Sequence, residues 1–154
     1  MLFNFFKKHE KQSAVNEHLG GFQSDLTSQQ KKAIMCSLFL IANSDGEYHN
    51  KEHQFFEQTA MLLGYKLGNN LDSIVEEFMT MDRESLFYHL NSLNESKKDW
   101  YIVTAFGMVH SDGRALEEEF QYMLVFFDKM GITEERFENV IRKTELLMEK
   151  FGGL

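Results

Sequence analysis

His49, Glu52 and His53 have the spacing H-x-x-E-H, which is typical of inverted zinc proteases. On one helix, two imidazoles a turn apart could bind zinc, and the glutamate could act as general base on a zinc-bound water. Such a site also needs a third ligand and a substrate cleft. A related stretch later in the chain keeps a glutamate but has Leu116 and Phe120 where the histidines stand. We therefore expect the two histidines to face solvent, binding zinc at most adventitiously.

That later stretch belongs to an internal duplication. Shifting residues 43–65 by 67 positions places them on residues 110–132, and six of the 23 positions are then identical. Roughly one identity is expected by chance, and the apolar periodicity agrees over the same window. The identities pair Ser44-Asp45-Gly46 with Ser111-Asp112-Gly113, Glu52 with Glu119, Gln54 with Gln121, and Gly64 with Gly131. We predict two similar helix-loop-helix halves that face each other about a pseudo-twofold axis and close one core.

Asp45, Glu52, Asp112 and Glu119 are the duplicated acidic residues, and two interpretations stay open. In the first, each Asp-Gly forms a turn, and each glutamate stabilises a helix start by about 0.3–1 kcal/mol through the helix dipole. A reciprocal capping box would need Ser or Thr three residues before each glutamate, and the chain has histidine and leucine there. In the second, these carboxylates bind a hard cation such as Ca²⁺ or Mg²⁺, or form an acidic surface. The loops are not EF-hands, because the alternating ligands are missing.

The elements that must position these residues are helices. The chain has no proline and no strict alternation of apolar and polar residues, so strands are not favoured. Apolar periodicity and capping signals predict helices over about 28–43, 49–63, 70–79, 83–93, 96–110, 116–130 and 134–150. Thr27 with Gln30, Asp82, Ser96 and Thr133 are the expected starts, and Gly64 and Gly131 the expected ends. The predicted fold class is an all-α, single-domain bundle of about seven to eight helices.

The composition of the chain indicates a single folded domain and argues against some classes of binding partner. With 154 residues, 43% of them apolar and 15 of them phenylalanine, the chain can form one domain with a substantial core. Its net charge of −8 repels phosphate backbones, which argues against nucleic acid as a partner. The single cysteine, Cys36, lies in an apolar run and is expected to pack as a small hydrophobe in a reducing, cytoplasmic compartment.

The N-terminal segment, residues 1–25, is expected to be separate from the domain at 26–154. No apolar run approaches the about 20 residues of a transmembrane helix, and the start does not resemble a secretory signal. The segment can fold against the body of the protein, or it can contact a partner or the inner face of a membrane peripherally. The residues that would make this contact are Phe3, Phe5 and Phe6, with Leu2 beside them, and Lys7 and Lys8, followed by Lys11.

The stretches IANSDGEYHNKEHQFFEQTAMLLGY and GMVHSDGRALEEEFQYMLVFFDKMGIT resemble the TerB-like family. This family includes the tellurite-resistance B proteins and the related N-terminal domain of a membrane-anchored DnaJ-type cochaperone. The resemblance covers about 28–150 and implies a helical bundle of two similar halves that acts in bacterial stress response. It also implies an acidic face for divalent cations and contacts with membrane-associated partners. By motif position, Asp45, Glu52, Asp112 and Glu119 take the acidic roles.

The function that these features favour is a non-enzymatic binding module, because no convincing nucleophile, phosphate loop or acid–base pair is present. One alternative is a carboxylate-bridged hydrolase, in which Asp45 and Asp112 converge on two metal ions about 3.5–4 Å apart. Another is a metal-free scaffold whose acidic surface binds a basic protein. Whether the chain forms a homodimer stays open.

Overall fold

The computed structural model describes residues 26–44, 50–65, 71–110 and 117–151. Within these ranges the chain forms helices and no strand, which confirms the all-α bundle. The N-terminal segment, His49, Asp45 and Asp112 lie outside the described residues. The helices are α1 (Ser28–Ala42), α2 (Asn50–Leu62), α3 (Leu71–Phe78), α4 (Arg83–Asn91), α5 (Glu95–Val109), α6 (Glu117–Lys129) and α7 (Glu134–Phe151). None of these helices has the length and apolarity needed to cross a membrane.

Most of the predicted helix starts are confirmed. Thr27 Oγ1 accepts from Gln30 N at 3.0 Å, and Gln30 Oε1 accepts from Thr27 N at 2.9 Å, which completes the capping box of α1. Asp82 caps α4 by accepting from Ser85 N at 2.8 Å. Thr133 Oγ1 accepts from Arg136 N at 3.1 Å at the start of α7. These starts depend on side chains within three residues of the helix, so a short sequence window is enough to find them.

The predicted start of α5 at Ser96 is wrong. The helix begins at Glu95, and Asn94 is the N-cap, with its side-chain oxygen accepting from Lys97 N at 2.9 Å. Asn caps helices as well as Ser does, and here it has the extended backbone that an N-cap requires. Ser96 therefore falls inside the first turn. The end of α4 also comes earlier than predicted, because Ser92 is its C-cap.

Gly64 and Gly131 end α2 and α6, as predicted. Their φ angles are 91° and 72°, in the left-handed region where a side chain is strained. In each case the amide of the following residue reaches back five residues, with Tyr65 N donating to Ala60 O at 3.0 Å and Ile132 N to Phe127 O at 2.9 Å. Both helices thus end in the same hydrogen-bonded turn.

The two halves repeat with one constant offset. Adding 67 to the bounds of α1 gives the bounds of α5, and adding 67 to those of α2 gives those of α6. The helices after this repeated pair differ, because the first half continues into α3 and α4 whereas the second continues into the single long α7. The repeated unit is therefore a pair of helices joined by the segment that carries Ser-Asp-Gly.

α1 and α5 lie at the centre of the core. α1 contacts α2, α3, α4, α5 and α6, and α5 contacts α1, α2, α6 and α7. Both are buried over most of their circumference, including an unbroken buried run at residues 33–38 in α1 and at residues 100–105 in α5. A helix that is buried on nearly every side is a core helix, so α1 and α5 form the centre of the bundle. In α2, Leu62 is 38% exposed and lies outside the buried face of that helix.

Candidate functional site

Two hydrogen bonds show which helix ends meet. Gln30, near the start of α1, donates from Nε2 to Ser92 Oγ at 3.0 Å. Asn91 donates from Nδ2 to Lys129 O at 3.3 Å, at the end of α6. Since Ser92 lies just before α5, the starts of α1 and α5 and the end of α6 gather at one end of the bundle.

The central helices run in the same general direction from that end. Further along both of them, Tyr101 OH donates to Ser37 Oγ at 2.8 Å. α6 returns beside α5, because the Tyr101 ring lies 6.1 Å from the Phe127 ring and the His110 ring 6.4 Å from the Phe120 ring. We infer that the last turns of α1 and α5 and the first turn of α6 lie together at the opposite end, which we call the loop end.

α2 has its start at the loop end as well. The ring of Phe39, in the last turns of α1, lies 5.9 Å from the ring of Phe56 in the middle of α2. α2 packs against α1, and only residues 45–49 separate Ser44 from Asn50, so we infer that the first residue of α2 lies near the C-cap of α1. All four points at which the two Ser-Asp-Gly segments join the helices therefore lie at one end of the bundle.

The predicted site residues divide into two groups. Glu52 and Glu119 are the third residues of α2 and α6, so the structure places both helix starts, and with them both glutamate backbones, at the loop end. The Glu119 side chain is buried, with 1% exposure, whereas the Glu52 side chain is outside the described part of the chain. Asp45 and Asp112 are also outside it. Among the described residues, no group of three or more His, Cys, Asp or Glu side chains could hold a metal ion.

The burial of Glu119 bears on the second interpretation, in which the acidic residues bind a cation or form an acidic surface. A carboxylate with 1% exposure adds nothing to an exposed acidic surface, but it can be a ligand of an enclosed ion or accept hydrogen bonds in the interior. The exposed carboxylates of the same turn are Glu117 and Glu118. Sequence reasoning missed these two, although three glutamates in a row at a helix start were the available signal.

The charges of the described groups at the loop end favour a cation. Helix C-termini carry a partial negative charge of about one half, and the last turns of α1 and α5 contain no basic residue to compensate it. The start of α6 carries a partial positive charge of about one half, but its first turn holds three glutamates. Full carboxylate charges outweigh the partial charge, so the net field from these described groups is negative.

His110, the C-cap of α5, is half-buried at this end. Its Nδ1 lies 2.9 Å from Phe106 O, and its ring centroid lies 4.2 Å from that of Phe106. In the neutral ring this contact requires the proton on Nδ1. The imidazole is therefore held in place by the last turn of its own helix.

The zinc-protease interpretation finds no support in His53, the one histidine of the H-x-x-E-H motif that lies within the described residues. His53 Nε2 lies 2.5 Å from Glu57 Oε1, one turn towards the end of α2, and the His53 side chain is 38% exposed. An imidazole nitrogen held by Glu57 points along the helix, away from position 49. His49 lies outside the described residues.

A second charged cluster joins α5 to α7. Arg136 Nε and Nη2 donate to Asp99 Oδ1 at 3.2 and 2.9 Å, and Nη2 also donates to Glu95 O at 3.1 Å. Arg136 Nη1 lies 2.5 Å from Glu95 Oε2. The partners are about forty residues apart in sequence, so no local pattern signals them. The cluster therefore holds α7 against α5, which is a structural role.

Cys36 lies in the core, as predicted. The side chain has 1% exposure, and burial raises the pKa of the thiol, although the charges of Arg83 and Lys32 act in the opposite direction. A buried thiol with a raised pKa is a poor nucleophile. This position is therefore part of the packing between α1 and its neighbours.

No protein-family model, no curated protein and no solved structure matches the chain. The resemblance to the TerB-like family thus stays a prediction from the two quoted stretches. The description of the loop end depends only on contacts within this chain.

Proposed function

We propose that this protein is a non-enzymatic, TerB-like binding module of bacterial stress response, of the tellurite-resistance type. Its duplicated acidic loops bind a divalent cation, Ca²⁺ or Mg²⁺, and present it to a membrane-associated protein partner at the cytoplasmic face. The observation that carries the proposal is the repeat of two helix pairs at a constant offset of 67. The contacts between these helices support the inference that all four attachment points of the loops lie at one end of the bundle.

The cation part of the proposal rests on the supply of oxygen ligands. Ca²⁺ takes six to eight oxygen ligands, and Mg²⁺ takes six, several of them water. Asp45 and Asp112 would contribute one carboxylate each from the loops, and Glu52 and Glu119 one each from the helix starts. The uncompensated carbonyl ends of α1 and α5 add to the attraction for a cation.

The first test compares two glutamates of the same helical turn. Glu119→Gln keeps the shape of the buried side chain but removes its charge, and we expect it to weaken Ca²⁺ or Mg²⁺ binding by about tenfold or more. Glu118→Gln, at an exposed position next to it, is the matched control and should change the dissociation constant by less than about twofold. Titration calorimetry of metal-free protein measures both. Equal effects of the two substitutions would contradict a site that includes Glu119.

One observation favours the metal-free scaffold as a second candidate. Glu117 and Glu118 are exposed side by side at the loop end, where a basic protein could contact them. In that case a lysine-rich peptide binds the protein equally well with and without chelator. The binding weakens with salt, because exposed charges are screened, and it is lost in Glu117→Gln with Glu118→Gln. If binding of the peptide requires Ca²⁺ or Mg²⁺, the scaffold is excluded in favour of the cation.

A further inference from the structure

An apolar groove lies between α6 and α7, and Phe120 brings one end of it to within three residues of the loop attachment point at Glu117. It encloses about 430 Å³, and its apolar lining consists of Phe120, Leu124, Phe127, Ile132 and Phe137. Phe120, Leu124 and Phe137 are only half-buried, so solvent reaches apolar surface there. The volume falls in the range of about 300–1,000 Å³ that is usual for ligand sites. We call this surface the α6–α7 groove.

The rim of the groove is acidic. Asp128, Glu134 and Glu138 line it and are exposed. Arg136 comes between the two glutamates in sequence, but its guanidinium is bound to Asp99 on α5 and does not neutralise them. An occupant that matches the groove therefore has large apolar side chains followed by positive charge.

We propose that the occupant is the N-terminal segment of this same chain, residues 2–8. This segment lies outside the described residues, and its sequence is Leu-Phe-Asn-Phe-Phe-Lys-Lys. Phe3, Phe5 and Phe6 supply aromatic side chains for the apolar lining, and Lys7 and Lys8 supply positive charge for the rim. Aromatic side chains bury large areas at low entropic cost, and complementary charge fixes their register.

The described part of the chain begins close to the groove. Leu26 and Thr27 precede α1, whose Gln30 is bonded to Ser92. Asn91, next to Ser92, is bonded to Lys129 O, and Lys129 follows Asp128 of the rim. The entry of the chain and one end of the groove are thus at the same end of the bundle.

The intervening chain is long enough to bridge this distance. Residues 9–25 can span up to about 55 Å when extended, whereas a domain of this size has a radius of gyration of about 14 Å. Tethering also raises the effective concentration of the segment at the groove to about the millimolar range. A weak contact is then sufficient for docking within one molecule.

Docking would hide the phenylalanines and lysines that are also the candidates for partner or membrane contact. The proposal is independent of the cation, because the α6–α7 groove shares no residue with the loop carboxylates. Failure of one test therefore leaves the other unaffected.

Photo-crosslinking in the full-length protein tests the proposal. Phe5 is replaced by p-benzoylphenylalanine, the protein is irradiated at low concentration without vesicles, and the adducts are mapped by mass spectrometry. We expect intramolecular adducts within residues 120–138. Glu134→Lys with Glu138→Lys reverses the rim charge and should lower the yield about fivefold. Glu145→Lys with Glu149→Lys makes the same change at the same spacing, at exposed positions further along α7, and should leave the yield unchanged.

Three results would overturn the proposal. The first is adducts outside residues 120–138, or none, in protein that circular dichroism shows to be folded. The second is adducts between two chains whose yield rises with protein concentration, since the occupant would then be a second copy. The third is equal loss of yield in the rim and control variants.

Discussion

Tyr101 and Ser37 join the two halves of the protein through one buried hydrogen bond. The phenol OH of Tyr101 donates to Ser37 Oγ at 2.8 Å, and Ser37 Oγ donates in turn to Ile34 O at 2.8 Å within α1. Both side chains have 0% exposure and lie on the two central helices. These two consecutive hydrogen bonds form a specific, buried polar link between α1 and α5.

Removing Ser37 Oγ should lower the free energy of unfolding more than removing the Tyr101 hydroxyl. Ser37→Ala leaves the Tyr101 hydroxyl buried without its acceptor, which we expect to lower the free energy of unfolding by about 1–3 kcal/mol. Tyr101→Phe leaves the Ser37 donor bonded to Ile34 O, and the expected loss is about 0.5–1.5 kcal/mol. Urea unfolding of the single and double variants measures both losses. Additive losses in the double variant would contradict a direct bond between the side chains.

The stability should fall at alkaline pH. Burial raises the pKa of Tyr101 well above its usual value, and burial also raises the pKa of Tyr65 and Cys36. In the unfolded chain, Cys and Tyr lose their protons near pH 8.5 and 10, whereas the folded protein retains them. A rise in pH therefore stabilises the unfolded state relative to the folded state. The contribution is fully present below these unfolded pKa values and is lost progressively above them.

Tyr101→Phe isolates one of these groups. Above about pH 10 a retained proton changes the free energy of unfolding by up to about 1.4 kcal/mol per pH unit, so the variant should show a shallower alkaline decline than the natural protein. Tyr88→Phe is the matched control, because Tyr88 is 70% exposed. Chemical unfolding between pH 8 and 11 gives the slopes. Parallel curves for the two substitutions would mean that Tyr101 does not titrate with unfolding.

The parts of the fold that a local window determines were predictable. Three helix starts could be predicted from the N-cap residues Thr27, Asp82 and Thr133, because an N-cap accepts hydrogen bonds from amides within three residues. Two helix ends could be predicted from Gly64 and Gly131, because only a glycine takes a left-handed φ without strain. The all-α class followed from the same signals.

What depends on packing between distant elements was not predictable. The sequence marks Glu119 as acidic, but its burial is set by how α6 packs on α1 and α5. The contact of Arg136 with Asp99 spans 37 residues and needs α5 and α7 to be in place. For the same reason, the duplication indicates that two acidic loops exist, but it does not indicate that their helices share an end. That inference needs contacts between helices, such as those of Tyr101 with Ser37 and of His110 with Phe120.

Gly131 offers a test of a helix end. Its φ is +72°, and a Cβ built there would meet nothing within 4 Å, so space does not limit substitution whereas backbone strain does. We expect Gly131→Ala to destabilise the protein by about 1–2 kcal/mol and Gly131→Asn by less, because Asn tolerates the left-handed region better. Thermal unfolding of the two variants provides the comparison. An alanine variant as stable as the natural protein would indicate that α6 ends differently in solution.

The most direct test of the central claim is thermal unfolding with Ca²⁺, Mg²⁺, Mn²⁺ or Zn²⁺ against excess chelator. A specific ion at a concentration of one hundred times its dissociation constant adds about 2.7 kcal/mol to the free energy of unfolding. This should raise the midpoint of thermal unfolding by roughly 5–10 °C. Asp45→Asn with Asp112→Asn should abolish the shift. Asp128→Asn with Glu145→Gln removes the same charge at exposed positions and should retain it. If none of the four ions moves the midpoint of the natural protein, the duplicated loops are not cation sites.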